Sequence, residues 1–302
     1  MTAPVSGRSS ALRIWLLAAR PRTLPASAVP VIVGGAMAYE AGSFDPLTFA
    51  VTLLAAILIQ VATNFINDYF DHKSGADSAG RVGPLRVMQA GLVTPAEMRH
   101  AIAVVMGITV LLGAYLVAVG GWPIAVIGLL ALLFAALYTA GPFPLAYIGL
   151  GDVFVLIFFG PVSAGGAYYL LAGTPTWPVL LVGTALGCIS TGILVVNNLR
   201  DIPADRAAGK HTLAVRFGAG FARAEYLTLL TLGAVAPLIV ISVIEGRLAV
   251  QLASLYLLAA LPVIRTVVLE SDGPKLNRAL AATGQLLGLF AALFCLGWLW
   301  GA

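Results

Sequence analysis

Charge is what this sequence has least of. Asp, Glu, Lys and Arg make up 10% of its 302 residues, where soluble domains carry roughly 25%. A chain so poor in charge does not cover a water-soluble surface, and with 60% hydrophobic residues it does not have the composition of a disordered one either. Cysteine is nearly absent. Cys188 and Cys295 both lie inside apolar runs and read as small buried hydrophobes, which excludes a disulfide framework. The three histidines, His72, His100 and His211, are too scattered for a metal centre or for axial haem ligands. What is abundant is apolar residues, with 33 Gly and 17 Pro among them, a mixture that suits packed membrane helices, where close backbone approach and helix breaks are tolerated. The net charge of +4 is first explained by membrane topology, and no nucleic-acid partner is expected.

The expected fold class is all-α, a polytopic bundle forming a single membrane-embedded domain over 1–302. Cut at its polar and Gly/Pro breaks, the chain gives nine apolar runs long enough to cross a bilayer, at about 25–41, 48–69, 96–118, 121–140, 151–171, 178–199, 226–245, 248–269 and 280–300. Residues 1–24 are basic, with an apolar stretch too short for a secretory signal, and read as an interfacial segment. With the N-terminus cytoplasmic, every Lys and Arg except Arg247 falls on the cytoplasmic side. The expected location is therefore the cell inner (plasma) membrane, multi-pass, with the polar chemistry toward the cytoplasm.

Two predicted helices end in Asn and Asp beside the two long basic loops. In the first, Asn64, Asp68 and Asp71 stack on one helical face; in the second, Asn197, Asp201 and Asp205 do the same. Acids at a helix C-terminus oppose the macrodipole. Such carboxylates repel unless a cation lies between them, and a set of hard oxygen donors without His or Cys suits Mg2+, which keeps water and phosphate oxygens in its shell. Lys73, Arg81 and Arg86 follow the first cluster, while Arg200, Arg206, Lys210 and Arg216 surround the second. Acids for Mg2+ with bases alongside would bind a diphosphate. An apolar bundle behind it implies a lipid tail, hence a prenyl diphosphate. Midplane acids on paired helices are also a transporter signature, and a cation-coupled membrane transporter stands as the reading from another class.

At these residues the chain resembles the UbiA superfamily of intramembrane prenyltransferases, whose pattern is two Asp-rich motifs on the second and sixth helices. It is most similar to the branch that prenylates 1,4-dihydroxy-2-naphthoate, through LAARPRTLPAS (17–27), TNFINDYFDHKSGAD (63–77), RVGPLRVMQAGLV (81–93), YTAGPFPLAYIGLGD (138–152) and NNLRDIPADRAAGKHTLAVRFG (197–218). The resemblance implies Mg2+ held by Asn64, Asp68, Asp71, Asp201 and Asp205, and diphosphate held by Lys73, Arg81, Asn197, Asn198 and Lys210. It implies a prenyl diphosphate and 1,4-dihydroxy-2-naphthoate as substrates in a setting of membrane lipid, with loss of carbon dioxide and a demethylmenaquinol product. Another aromatic acceptor within the same superfamily is the alternative. Arg22 is a candidate for the acceptor carboxylate, and Tyr138 for the diphosphate or the allylic cation. Asn67 lies within the first motif without an assigned role. Asp77 comes later than the third acid of the generic first motif, and position 75 is Gly. Asp152 opens its predicted helix, where an acid suits the positive end of the dipole.

Overall fold

The computed structural model describes residues 10–74, 85–141, 144–243 and 247–300, and among them the regular structure is helical throughout. The helices are α1 (Ala11–Ala19), α2 (Leu24–Glu40), α3 (Pro46–Ser74), α4 (Pro95–Gly120), α5 (Trp122–Leu137), α6 (Gly151–Ile157), α7 (Ser163–Ala172), α8 (Trp177–Ala207), α9 (Leu213–Val243), α10 (Tyr256–Leu269) and α11 (Gly273–Trp300). A π-helical turn, Phe158–Val162, joins α6 to α7, and a 3-10 segment, Leu248–Leu255, leads into α10.

Among the described residues seven spans are long and apolar enough to cross a membrane: α3, α4, α6 with α7, α8, α9, the 3-10 segment with α10, and α11. The other two expected spans correspond to α2 and α5, at 17 and 16 residues, short for crossing the hydrocarbon without tilt or local thinning. Three helices outrun the apolar stretches that announced them. α8 continues through Pro203 to Ala207, α9 begins at Leu213 with a break at Gly218, and α11 begins at Gly273. Hydropathy marks where a helix meets hydrocarbon, whereas its backbone hydrogen bonds carry on into the polar layer.

Local chemistry sets the helix starts. Asp45 accepts the Thr48 amide at 2.6 Å ahead of Pro46. Thr94 and Glu97 form a reciprocal capping box ahead of α4, with Pro95 in its first turn. Helix α1 is capped by Ser10 and leaves Leu12 and Leu16 exposed while Trp15 packs on Phe65 of α3, consistent with a helix lying at the membrane surface.

Helix α8 is the axis of the bundle. In its most apolar stretch 72% is buried, against 11% for α4 at the rim. It packs against α9, α11, α6 and the π turn. Close approach to α6 is possible because Gly183 and Gly187, one turn apart, face Pro161 and Gly160; a Cβ at Gly187 would stand 2.2 Å from the Leu156 carbonyl oxygen. On the other side Phe290, Phe294 and Trp298 stack along α11, and the buried Tyr226 hydroxyl meets the Thr283 hydroxyl at 2.9 Å. Cys188 and Cys295 are free thiols in this packing.

Candidate active site

The C-terminal ends of α3 and α8 come together, and what they present is a set of carboxylates held by bases. Asp71 accepts the Arg86 guanidinium at 2.7 Å, and Lys210 lies 3.6 Å from Asp71 and 3.7 Å from Asp205. Lys210 thus bridges the two motifs. Arg200 closes on its own neighbour, Asp201, with Nε–Oδ1 at 2.7 Å and Nη2–Oδ2 at 2.5 Å. Its remaining N–H groups donate to Asn197 at 2.7 Å and to Asn277 of α11 at 2.5 Å. That planar fork uses Arg geometry that a Lys does not offer.

The loop between α5 and α6 is the third wall. Gly149 sits at φ +78, where a Cβ would be strained and would meet the His211 carbonyl oxygen at 2.9 Å. The loop is tied to the segment after α8 by His211 N–H to Tyr147 O, 2.8 Å, and by Arg216 to Ile148 O, 3.0 Å. This brings the Tyr147 hydroxyl to 3.2 Å from Asp71, with the Lys210 ammonium 4.8 Å from the Tyr147 ring centre. The fourth wall is the α1–α2 junction, where Arg20 holds φ 51, the left-handed conformation that caps α1.

These walls enclose the polar end of one cavity of about 1290 Å3. Asp71, Asp201, Asp205, Asn67, Asn197, Asn198, Arg86 and Lys210 line that end, and Phe134, Phe154 and Phe158 line the apolar bore beyond it. The three rings sit 4.4 to 6.2 Å apart, centre to centre. Tyr138 lies at the junction, its hydroxyl 3.3 Å from where a Gly151 Cβ would be.

The sequence-derived residues are not all brought to the cavity wall. Asn64 is buried but turned away, its amide donating to Ala19 O at 2.9 Å and Thr23 Oγ1 at 3.0 Å. Asp68 is buried on α3 without lining the cavity. Asn67 does line it, its Oδ1 accepting from Thr139 at 2.7 Å and its carbonyl from Arg86 at 3.1 Å. Lys73 is exposed at the end of α3, and Arg22 is exposed at the cavity rim. Arg81 and Asp77 lie outside the described residues. Among the described residues no three His, Cys, Asp or Glu side chains converge closely enough to enclose a metal ion. Yet the donors around the polar end are all oxygens, two of the carboxylates already bridged by one cation, and that chemistry fits Mg2+ better than a softer metal.

Sequence reasoning had no role for Tyr147, Thr139 or Asn277, and it named Arg86 and Arg200 only as nearby charge. Tyr147 and Thr139 fall inside the segment 138–152 that carried the resemblance; nothing in the sequence marks Asn277.

The chain is 39% identical over 227 residues to a 1,4-dihydroxy-2-naphthoate octaprenyltransferase of Escherichia coli, covering 73% of this chain and 74% of that one. It is 33% identical over 277 residues to a protein of the same name from Mycobacterium leprae, covering 92% and 93%. The structure of a UbiA homolog from Archaeoglobus fulgidus bound to GPP and Mg2+ superposes with a TM-score of 0.63 at 16% identity, over 93% of this chain and 99% of that one, and so shares the fold. The profile of the UbiA prenyltransferase family matches residues 27–282, and the chain belongs to that family.

Proposed function

We propose that this prenyltransferase transfers a prenyl group from a prenyl diphosphate to 1,4-dihydroxy-2-naphthoate with loss of carbon dioxide, giving a demethylmenaquinol. The observation that carries the reading is the single cavity in which a charged end runs into an aromatic and aliphatic bore, because the donor substrate has the same two halves. The named relatives from Escherichia coli and Mycobacterium leprae support naphthoate as the acceptor.

In this reading Asp71, Asp201 and Asp205 hold Mg2+ from the cavity wall, Asp68 joins them by turning its side chain from its place behind that wall on α3, and Asn64 supports the α3 end through its hold on Ala19 and Thr23. Bound there, Mg2+ would neutralise the diphosphate oxygens as negative charge develops on the leaving group. Lys210 and Arg86, now spent on Asp71 and Asp205, turn to those oxygens, with Lys73, Arg81, Asn197 and Asn198 as further ligands. Phe134, Phe154 and Phe158 shelter the allylic cation through their ring faces, and the apolar bore excludes water that would quench it. Arg22 at the rim takes the acceptor carboxylate. The Tyr138 hydroxyl, between the acids and the rings, donates to the departing diphosphate.

The charged end faces the cytoplasm of the inner membrane, because the basic residues crowd that side. A cation-coupled transporter would keep its acids midway along the spans, whereas here they close the ends of α3 and α8. The test is turnover. Purified protein with carboxyl-labelled dihydroxynaphthoate, Mg2+ and a panel of prenyl diphosphates should release label as carbon dioxide in step with prenylated product. Prenylated product that keeps its carboxyl, or product only from a different aromatic acid, would replace this acceptor.

A further inference from the structure

One buried acid plays no part in the arrangement above. Asp152, in the first turn of α6, is 5% exposed and lines the cavity. Its Oδ1 finds no hydrogen-bond donor among the described residues. Ser190 of α8 is 3% exposed, lines the same cavity, and its Oγ is likewise without a partner there. The two helices meet at this level, the Thr191 hydroxyl donating to the Asp152 backbone carbonyl oxygen at 3.5 Å. A place at the helix N-terminus accounts for tolerance of a negative charge. It does not account for a buried carboxylate oxygen that lacks a hydrogen-bond donor on a residue lining the cavity, an arrangement that costs free energy unless a ligand supplies the proton donor.

The position is informative. The Tyr138 hydroxyl lies 3.3 Å from where a Cβ on Gly151, the residue before Asp152, would stand. Phe134 lies one turn before Tyr138, and Phe154 follows Asp152 by two residues. Asp152 therefore belongs to the stretch of cavity wall beside Tyr138 and the aromatic bore.

We propose that Asp152 is a catalytic residue that accepts and then returns the proton of the acceptor hydroxyl adjacent to the reacting ring carbon, with Ser190 holding the acceptor beside it. The proposal rests on the acceptor being a hydroxynaphthoic acid. The ring carbon bearing the carboxylate bonds to the allylic carbon, whose electron pair has left with the diphosphate. The adjacent ring hydroxyl becomes strongly acidic, and its proton passes to the Asp152 carboxylate, leaving an uncharged ring ketone beside the carboxylate anion. The bond to that carboxylate breaks, carbon dioxide leaves, and the electron pair returns to the ring as an enolate. The enolate oxygen takes the proton back from Asp152. Ring and carboxylate are both restored, and no base is left protonated at the end of the cycle.

The experiment pairs a variant with a substrate change. Asp152→Asn keeps size and polarity but accepts no proton. On dihydroxynaphthoate it should lower kcat about a hundredfold or more, within the range of general acid–base contributions, and should lower hydrolysis of prenyl diphosphate without acceptor far less. The acceptor carrying a methyl ether at the hydroxyl adjacent to the carboxylate should be slow with the native chain, and Asp152→Asn should slow it no further. Native turnover by Asp152→Asn would overturn the assignment, as would an equal loss with the ether and in diphosphate hydrolysis, which would mean a structural role. Should that variant not fold, the native chain alone decides: methyl ether turned over as fast as dihydroxynaphthoate overturns the proposal. If the native chain couples dihydroxynaphthoate and only the Asp152 results fail, the acceptor reading survives; if it couples no hydroxynaphthoic acid, both fall.

Discussion

Arg200 and Asp201 are sequence neighbours on one helix, and yet they form a two-point ion pair, with the Arg200 side chain 1% exposed and the Asp201 side chain 10%. Adjacent helical residues project about 100° apart, so the pair closes because the Arg200 side chain folds across the face of α8, where Asn197 and Asn277 take its other N–H groups. Asp201 is thereby fixed at the cavity wall while its charge is compensated.

The pair predicts a split between charge and geometry. Arg200→Lys keeps the charge and loses the fork and the bond to Asn277. It should cost about 1–3 kcal/mol in unfolding free energy in detergent and reduce activity at least tenfold. Arg200→Ala, which leaves Asp201 buried and alone, should cost more, about 3–5 kcal/mol. Denaturant unfolding of the two variants checks this, and equal stability of all three chains would show that the pair contributes nothing.

Metal dependence should be carried by both helix ends. Asp68→Asn and Asp205→Asn should each remove nearly all turnover, because a lost ligand weakens stabilisation of leaving-group charge by several kcal/mol. Neither should unfold the bundle, and raising Mg2+ should restore part of the rate. Full activity of either variant, or of the native chain in excess chelator, would be incompatible with the proposed Mg2+ role.

Much of the architecture was legible in the sequence because hydrocarbon imposes one rule, a long apolar run for each span, and charge then marks the ends. α3 and α4 begin within a few residues of the apolar runs that announced them. α9 and α11 do not, since their first turns lie in the polar layer where hydropathy is silent. In the site, helical spacing could put Asn64, Asp68 and Asp71 on one face, but it could not say which way α3 is rotated. The structure turns Asn64 toward Thr23 and brings Asn67 to the cavity. Partners distant in sequence, such as Tyr147 with Asp71 and Asn277 with Arg200, depend on how loops and helices pack and leave no local pattern.

The contact between α6 and α8 should be intolerant of a single methyl group. At Gly187 an added Cβ would meet the Leu156 carbonyl oxygen at 2.2 Å, with backbone on both sides and no flexible side chain to give way. Gly187→Ala should cost at least about 1–3 kcal/mol by overpacking and, by shifting α6, disturb Asp152 and Tyr138. Gly166→Ala on α7, where nothing lies within 4 Å, should be nearly neutral. Thermal unfolding of the two variants side by side distinguishes local crowding from a general dislike of alanine.

Orientation is open to labelling. A cysteine at Thr174, between α7 and α8, should react with a membrane-impermeant maleimide in intact cells, and one at Ala208, at the end of α8, only after permeabilisation. The reverse pattern would put the charged end on the wrong side for a cytoplasmic diphosphate.

Lys210 bridges Asp71 and Asp205 at 3.6 and 3.7 Å with its side chain 16% exposed. A base in that position either neutralises the acids or holds substrate oxygens, and the two roles separate by ligand. If Lys210 turns to the diphosphate, Lys210→Gln should weaken prenyl diphosphate binding and slow its ionisation, while affinity for the uncharged prenyl alcohol, which feels only the apolar bore, stays unchanged. A charge-assisted contact is worth roughly 1.5–3 kcal/mol, an expected loss of about ten- to a hundredfold, and more if the contact tightens as the leaving group gains charge. Arg265→Gln is the comparison, because Arg265 is exposed on α10 and does not line the cavity. Arg223 would serve poorly, since it ties α9 to the end of α10 through Val267, Glu270 and Ser271. Equal effects of Lys210→Gln and Arg265→Gln on kcat/KM would reduce Lys210 to surface charge. A parallel loss of prenyl alcohol binding would mean instead that Lys210 shapes the cavity, and the diphosphate would need another base.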